Sequence, residues 1–242
     1  MVRRSRGRNE RGDIMAEYKT DSLRSPHPSA SVEDYIKAVY HLQTQSGRAA
    51  TRELSTMLGV QMASVTGMMK QLHTAGLVDH KPYQGVELTE TGQALALRVL
   101  RRHRLVELFL HRTLGIAWDE VHEDAERLEH AVSDRLIERI DAFLGEPVFD
   151  PHGAPIPQSD GSMPALEGMV LSACLPGHTG QILHVPDKDS DLLRYLSELG
   201  IEIGLRFKVI NSGPFGPVEL RAQNRRIRLG LQAAEQVLVS CE

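Results

Sequence analysis

The residue pattern predicts a mainly α protein with a small β domain at its C-terminal end, on three observations. Two short helical periodicities meet at a glycine turn and are followed by a compact hairpin signal. Two long amphipathic stretches come next, and the last third alternates short β-prone runs with Gly-Pro turns. In that order they read as an N-terminal winged helix-turn-helix, a helical domain and a C-terminal β-barrel of about 70 residues. The expected divisions are 1–30, 31–92, 93–146, 147–166 and 167–242.

Residues 1–30 carry Arg3, Arg4, Arg6, Arg8 and Arg11 among few apolar residues and close on a Pro/Ser segment, so they read as a disordered basic arm. Such an arm suits DNA phosphates; a solvated tail or a misassigned start is the blander alternative. With Ser31 as N-cap, Val32, Tyr35, Ile36, Val39, Tyr40 and Leu42 share one helical face to about Gln45. Thr51 is expected to cap a short helix that turns Leu54, Met57 and Leu58 inward and stops at Gly59. "MASVTGMMKQLHTAG" forms a third helix to Gly76, with Val65, Met68, Met69 and Leu72 as core. The Pro and Gly of "KPYQG" then fold two β-prone runs into a hairpin, the wing.

"ETGQALALRVLRRHRLVELFLHRTLG" is a long helix with more apolar surface than a lone surface helix needs, which implies a partner. "WDEVHEDAERLEHAVSDRLIERIDAFLG" reads as one further helix ending near Gly145, and "EPVFDPHGAPIPQSDGSMP" as a linker or wandering connection. At 100° per residue, Val121, Ala125, Leu128, Val132 and Leu136 form one apolar stripe of that helix. His122, Glu126, Glu129 and His130 lie along its flank, away from the solvent side occupied by Glu123, Arg127, Asp134, Arg135 and Glu138. Carboxylates gathered beside a buried stripe repel one another unless a cation or protons compensate. His103 and Glu107 form a second carboxylate–imidazole pair on the preceding helix. Spacing alone leaves a divalent-metal site and an ordinary polar flank equally open.

The formal net charge of -4, from 28 Lys and Arg against 32 Asp and Glu, excludes a global positive field, so any nucleic acid must be met by a local patch. Leu54 through Val78, the helix-turn-helix, contains no Asp or Glu, while Gln61, Ser64, Thr66, Lys70 and Gln71 offer hydrogen-bonding groups there. The two cysteines, Cys174 and Cys241, are far apart in sequence and suggest neither a disulfide framework nor a thiolate cluster. Neither a signal peptide nor a membrane span is indicated, and a soluble cytoplasmic protein is expected.

The ordered set "SVEDYIKAVYHL", "LGVQMASVTGMMKQLHTAGLV", "LRRHRLVELFL" and "HEDAERLEHAVSD" resembles the diphtheria toxin repressor family of metal-dependent regulators, its manganese-sensing branch included, from about Ser31 to Pro157. The β-rich remainder resembles the SH3-like, FeoA-type third domain of longer members. The resemblance implies a primary metal site of Asp34, Glu126, Glu129 and His130, and a second site of His103, Glu107 and His122. Gln181 and His184 are its candidates for ligands supplied by the third domain. The iron-type branch has sulfur donors where this chain has Asp34 and Glu126, so the oxygens here favour a harder ion such as Mn(II), with Fe(II) as the alternative. Lys37 stands where the manganese branch supplies a further carboxylate, so two separated sites per subunit are expected rather than a compact two-metal cluster.

By the same resemblance Gln61, Ala63, Ser64 and Gly67 face bases, while Thr51, Lys70, Lys81 and Tyr83 read as phosphate contacts. The expectation is a homodimeric, metal-activated repressor that binds palindromic operators of metal-uptake genes. A metalloenzyme reading of the His/Glu cluster leaves the helix-turn-helix unexplained. A metal-independent winged-helix interaction protein, its carboxylate flank merely structural, is the remaining alternative.

Overall fold

The computed structural model describes residues 28–242 except 82, 83 and 214. The expected basic arm therefore lies outside the described residues apart from 28–30. Two compact units meet between Val99 and Leu100.

In the first unit, α1 (Ala30–Ser46), α2 (Thr51–Leu58) and α3 (Met62–Thr74) precede a hairpin of β1 (Val78–Lys81) and β2 (Gly85–Leu88). The cap of α1 is Ser29 rather than Ser31: the amides of Val32 and Glu33 turn back to the Ser29 carbonyl. No serine hydroxyl makes that cap, so the side-chain signal does not choose the boundary. Likewise Ala50, not Thr51, precedes α2, and its amide donates to the Glu53 carboxylate at 3.1 Å. Gly59 ends α2 at φ +64°, a left-handed conformation that costs glycine no Cβ clash.

Ile36, Val39, Leu54, Val65, Met69, Leu72 and Val86 are fully buried in one cluster, with Met68 packed at its edge, so three helices and the wing share a core. The hairpin runs in register from Val78 opposite Leu88 to Lys81 opposite Gly85, and Ala49 bridges to Val86. The core thus fixes the wing beside the helix-turn-helix.

The helix α4 (Glu90–Leu114) is the long helix the sequence predicts. After it, α5 (Val121–Leu128) and α6 (Asp134–Leu144) correct the expectation of one continuous helix. The chain breaks at 129–133 because Ser133 adopts extended angles and its hydroxyl accepts the Leu136 amide, capping a new helix. The break shifts the helical phase. Leu128 and Leu136 are 41% and 50% exposed instead of continuing the apolar stripe, while Ile137 and Ile140 join Leu105, Leu108, Val121, Ala125 and Ile156 in the core.

The Pro/Gly-rich connection is not a loose linker. Asp150, His152, Ala154 and Ile156 are buried, and Arg101 and Arg104 of α4 donate to the carbonyls of Pro157 and Pro155. Such a segment needs no helix or strand when side chains satisfy its backbone.

The rest forms a six-stranded antiparallel sheet from β3 (Met169–Val170), β4 (Thr179–His184), β5 (Arg206–Asn211), β6 (Val218–Ala222), β7 (Arg225–Leu229) and β8 (Leu238–Cys241). Its strand order is β3-β8-β4-β5-β6-β7. The helices α7 (Ser190–Glu198) and α8 (Leu231–Ala234) accompany it, and Leu193, Leu196, Ile182, Leu220 and Val239 fill the core. Cys174 and Cys241, expected to stay apart, are joined as a disulfide because antiparallel pairing brings the end of the chain beside the start of the sheet.

Two glycines of the first unit test this packing. A Cβ at Gly92, near the start of α4, would lie 1.9 Å from the Leu77 carbonyl oxygen, whereas one at Gly67 in α3 meets nothing within 4 Å. Gly92→Ala is expected to destabilise by about 1–3 kcal/mol through overpacking. Gly67→Ala is expected to stabilise by up to about 1 kcal/mol through helix propensity. Thermal unfolding of the two variants checks the opposite signs.

Candidate metal centre

The arginines of α4 set the elements that surround the site. Arg101 pairs with Asp141 of α6 at 2.7 Å, and Arg102 donates to the Glu129 carbonyl at 3.2 Å and to Asp134 at 3.3 Å. The face between them carries His103 and Glu107, one turn apart and both buried.

Glu107 Oε1 lies 3.0 Å from His103 Nε2 and 2.9 Å from His122 Nδ1, so the three sequence-predicted residues of the second site come together. The other nitrogen of His103 meets the fully buried Glu129 carboxylate in a short contact. Glu129 Oε1 is 3.5 Å from His130 Nε2, while Glu126 Oε1 is 3.6 Å from His122 Nε2 and 4.0 Å from His103 Nδ1. The two expected sites are therefore linked through His103. Asp34, half-buried on α1, belongs to the other unit.

The second oxygen of Glu107 reveals residues that the sequence reading missed. His152 Nδ1 stands 3.9 Å from Glu107 Oε2, and Asp150 completes a fully buried trio whose ligand atoms all lie within 4.8 Å of one another. His152 Nε2 faces the Trp118 carbonyl at 2.7 Å, which assigns a proton to Nε2 and turns Nδ1 toward the carboxylates. Asp150 uses Oδ1 to accept the amides of His152 and Ala154, leaving Oδ2 over. Glu107 Oε2, Asp150 Oδ2 and His152 Nδ1 are buried without a hydrogen-bond partner. The Arg104 Nε, 3.6 Å from Asp150 Oδ2, is the cationic donor beside this group, and a divalent cation fits chemically between the two carboxylates and the imidazole.

Asp187, in the loop after β4, joins His103, Glu107 and His122 within ligand distance. Like the expected Gln181 and His184, it comes from the β-rich part of the chain. The Gln181 amide lies beside Gly204, and His184 Nδ1 is held 3.0 Å from the His152 carbonyl. A register shift in β4 between Ile182 and His184 gives that end of the strand its own geometry. The signal for Asp150 and His152 was an acid and an imidazole two residues apart in a segment dismissed for its prolines. For Asp187 no local signal existed.

The charges respond to this crowding. Burial works against the Glu107 charge, but the imidazoles of His103, His122 and His152 outweigh it and hold the carboxyl well below the usual range. Burial and the neighbouring Glu107 carboxylate instead push Asp150 up to about 6, against the pull of Arg104 and His152. For Asp187, burial and Glu107 raise the pKa, and the three imidazoles lower it further than that. Burial lowers the His184 pKa.

In the first unit, Gln61, Ala63, Ser64, Gly67 and Lys70 are exposed at the start and along the outer side of α3, and Thr51 is half-buried at the start of α2. Lys81 is exposed in the wing and lies 3.3 Å from Asp79. Tyr83 falls outside the described residues.

Residues 27–86 match the family described as iron dependent repressor, N-terminal DNA binding domain, and residues 89–158 match its metal binding and dimerisation domain. The chain belongs to the iron-dependent repressor family. Residues 169–241 match the FeoA domain. A solved manganese-dependent transcriptional repressor in complex with manganese is 40% identical, with a TM-score of 0.78, covering 87% of this chain and 99% of that one. An uncharacterized HTH-type transcriptional regulator of Methanocaldococcus jannaschii is 38% identical over 117 residues, 48% of this chain and 94% of the relative. The iron-dependent repressor of Mycobacterium tuberculosis is 32% identical over 127 residues, 52% of this chain and 55% of that protein, so the match spans about half of it.

Asp150→Asn keeps the two amide contacts and removes the charge. With Asp150 at about 6 in the fold, the ion-free protein retains a proton that an unfolded carboxyl releases near pH 4. Its stability contribution is therefore full below about pH 4 and lost as pH rises through 6. Glu107, shifted downward, acts in the opposite sense at lower pH. At neutral pH the Asn variant is expected to be more stable without metal, by on the order of 1–3 kcal/mol, and to show a smaller rise in Tm on adding Mn(II). Calorimetry at pH 5 and pH 7.5 checks both signs.

Proposed function

We propose that this protein is a Mn(II)-activated transcriptional repressor that binds palindromic operators of metal-uptake genes as a homodimer in the cytoplasm. The observation that carries the reading is the inward-facing set of buried acceptors, Glu107 Oε2, Asp150 Oδ2 and His152 Nδ1, inside the portion that matches a metal binding and dimerisation domain. The family fits DNA-binding repressors rather than enzymes. Among the described residues no helix is long and apolar enough to cross a membrane.

Two metal sites per subunit are proposed. The first draws on Glu126, Glu129 and His130, with Asp34 as the donor implied by the family resemblance. The second draws on Glu107 with His103 and His122, and Asp150, His152 and Asp187 join it as the structure's additions. Gln181 and His184 are the donors that the family resemblance implies for the β-rich domain at this second site. Carboxylate oxygens suit Mn(II), and Fe(II) is the alternative because imidazole accepts it as well; ion availability then decides. A bound cation would add to the positive charge that Arg104 brings to Asp150.

Gln61, Ala63 and Ser64 are proposed to face base edges from the start of α3, and Gly67 to leave a gap there that permits contact without reading. Thr51, Lys70, Lys81 and Tyr83 are proposed phosphate contacts. Leu128, Leu136 and Phe143, exposed on α5 and α6, suit the dimer interface. The family resemblance implies allostery by differential metal affinity for the DNA-competent arrangement.

Fluorescence anisotropy with operator DNA tests this. Mn(II) is expected to raise the affinity of the wild type, and Glu129→Ala to lose most of that gain. Undiminished metal activation in the variant would overturn the mechanism. On the DNA side, Gln61→Ala is expected to cost about 1–3 kcal/mol on the cognate site only, while Lys70→Ala lowers affinity for all sequences and reduces the salt slope by about 1.

A further inference from the structure

A second cluster of ligand-type side chains stands in the β-rich domain. Cys174, His178 and Cys241 bring two sulfurs and an imidazole nitrogen within 4.8 Å of one another. Their backbones are held by hydrogen bonds on every side. Cys174 donates its amide to the Leu171 carbonyl and accepts the Ser212 hydroxyl at 2.7 Å. His178 accepts the Val209 amide at 2.8 Å, and Cys241 ends β8 opposite Gly180, where Thr179 and Glu242 exchange both hydrogen bonds. Cys174 is fully buried, and Cys241 and His178 are half-buried.

The imidazole is the informative member. A disulfide needs no base beside it, yet His178 Nδ1 lies 3.5 Å from Cys241 Sγ. The Leu175 amide points at the same nitrogen from 3.3 Å, which places the lone pair on Nδ1 and the proton on Nε2. That is the ligating form of the ring. A tetrahedral zinc ion with Zn–S of about 2.3 Å and Zn–N of about 2.0–2.1 Å sets its sulfur and nitrogen donors roughly 3.5 Å apart. The observed separation matches that edge.

We propose that, once the disulfide is reduced, Cys174, Cys241 and His178 form a site for a soft or borderline divalent cation of the zinc type, distinct in donor chemistry from the oxygen-rich helical centre. Thiolates and imidazole suit such ions, whereas carboxylates suit manganese. Disulfide and cation are mutually exclusive states of the same two sulfurs. A phosphine reductant supplies two electrons to break the S–S bond. Water then gives its oxygen to the phosphine oxide and its two protons to the sulfurs. Cation binding displaces those protons as both thiols become thiolates.

The test uses the full chain and Co(II) as a spectroscopic probe. The sequence holds two cysteines, so a thiolate-to-cobalt charge-transfer band in the near ultraviolet reports this site and no other. The phosphine-reduced wild type is expected to develop the band to one Co(II) per chain and to lose it when Zn(II) is added. The oxidised wild type, the same chain and independent of any variant's folding, is expected to show none. Cys241→Ser is expected to lose the two-thiolate band. His178→Ala is expected to weaken Co(II) affinity by at least the roughly 10–100-fold that follows loss of even an outer-shell partner. No band in the reduced wild type overturns the site, and a His178→Ala titration identical to wild type overturns the imidazole's part in it.

Discussion

Glu107 is the constraint around which the second unit is organised. A carboxylate with no solvent exposure must be met by charge or donors, and it sits in the C-terminal half of a 25-residue helix, so its own helix and neighbouring elements must supply them. One of its oxygens is served by His103 and His122. The other faces His152 and Asp150, which come from a segment without regular structure. The burial of that segment, the position of α5 and the loop carrying Asp187 all answer to one side chain.

The arginines of α4 explain how such a site is kept in place without metal. Arg101, Arg102 and Arg104 each reach a different segment: α6 and Pro157, the α5–α6 break, and the Asp150 turn. Buried guanidinium groups demand fixed acceptors, and carbonyls at irregular turns are suitable ones. The helix therefore positions the ligand-bearing pieces through its charged face and the hydrophobic core through its apolar face. A metal site whose backbone is already tied down loses less conformational freedom on binding.

Much of this could be seen in the residues. The winged helix followed from Gly59, Gly76 and the apolar spacing of α1 and α3, because local turn chemistry and a helical face need only near neighbours. Spacing put His103 and Glu107 one turn apart and His122 on the flank of the next helix, and the family resemblance joined the three into one site. The single-helix reading of 118–145 failed at Ser133, since an amphipathic pattern that runs through a serine looks continuous until the hydroxyl turns to cap. Asp150 and His152 were hidden by the prolines around them. Composition says a segment is irregular, and it does not say whether the segment is exposed.

By itself the sequence determined the order of the domains and the character of most elements, since these rest on periodicity, turn residues and spacing within a few positions. Tertiary structure alone decided which atoms meet. It set Asp187 with the histidines, gathered Glu107, Asp150 and His152, and joined Cys174 to Cys241 across 67 residues. The physical reason is range: helix faces and turns are written by neighbours, while contacts between distant segments depend on packing that no single stretch of chain encodes.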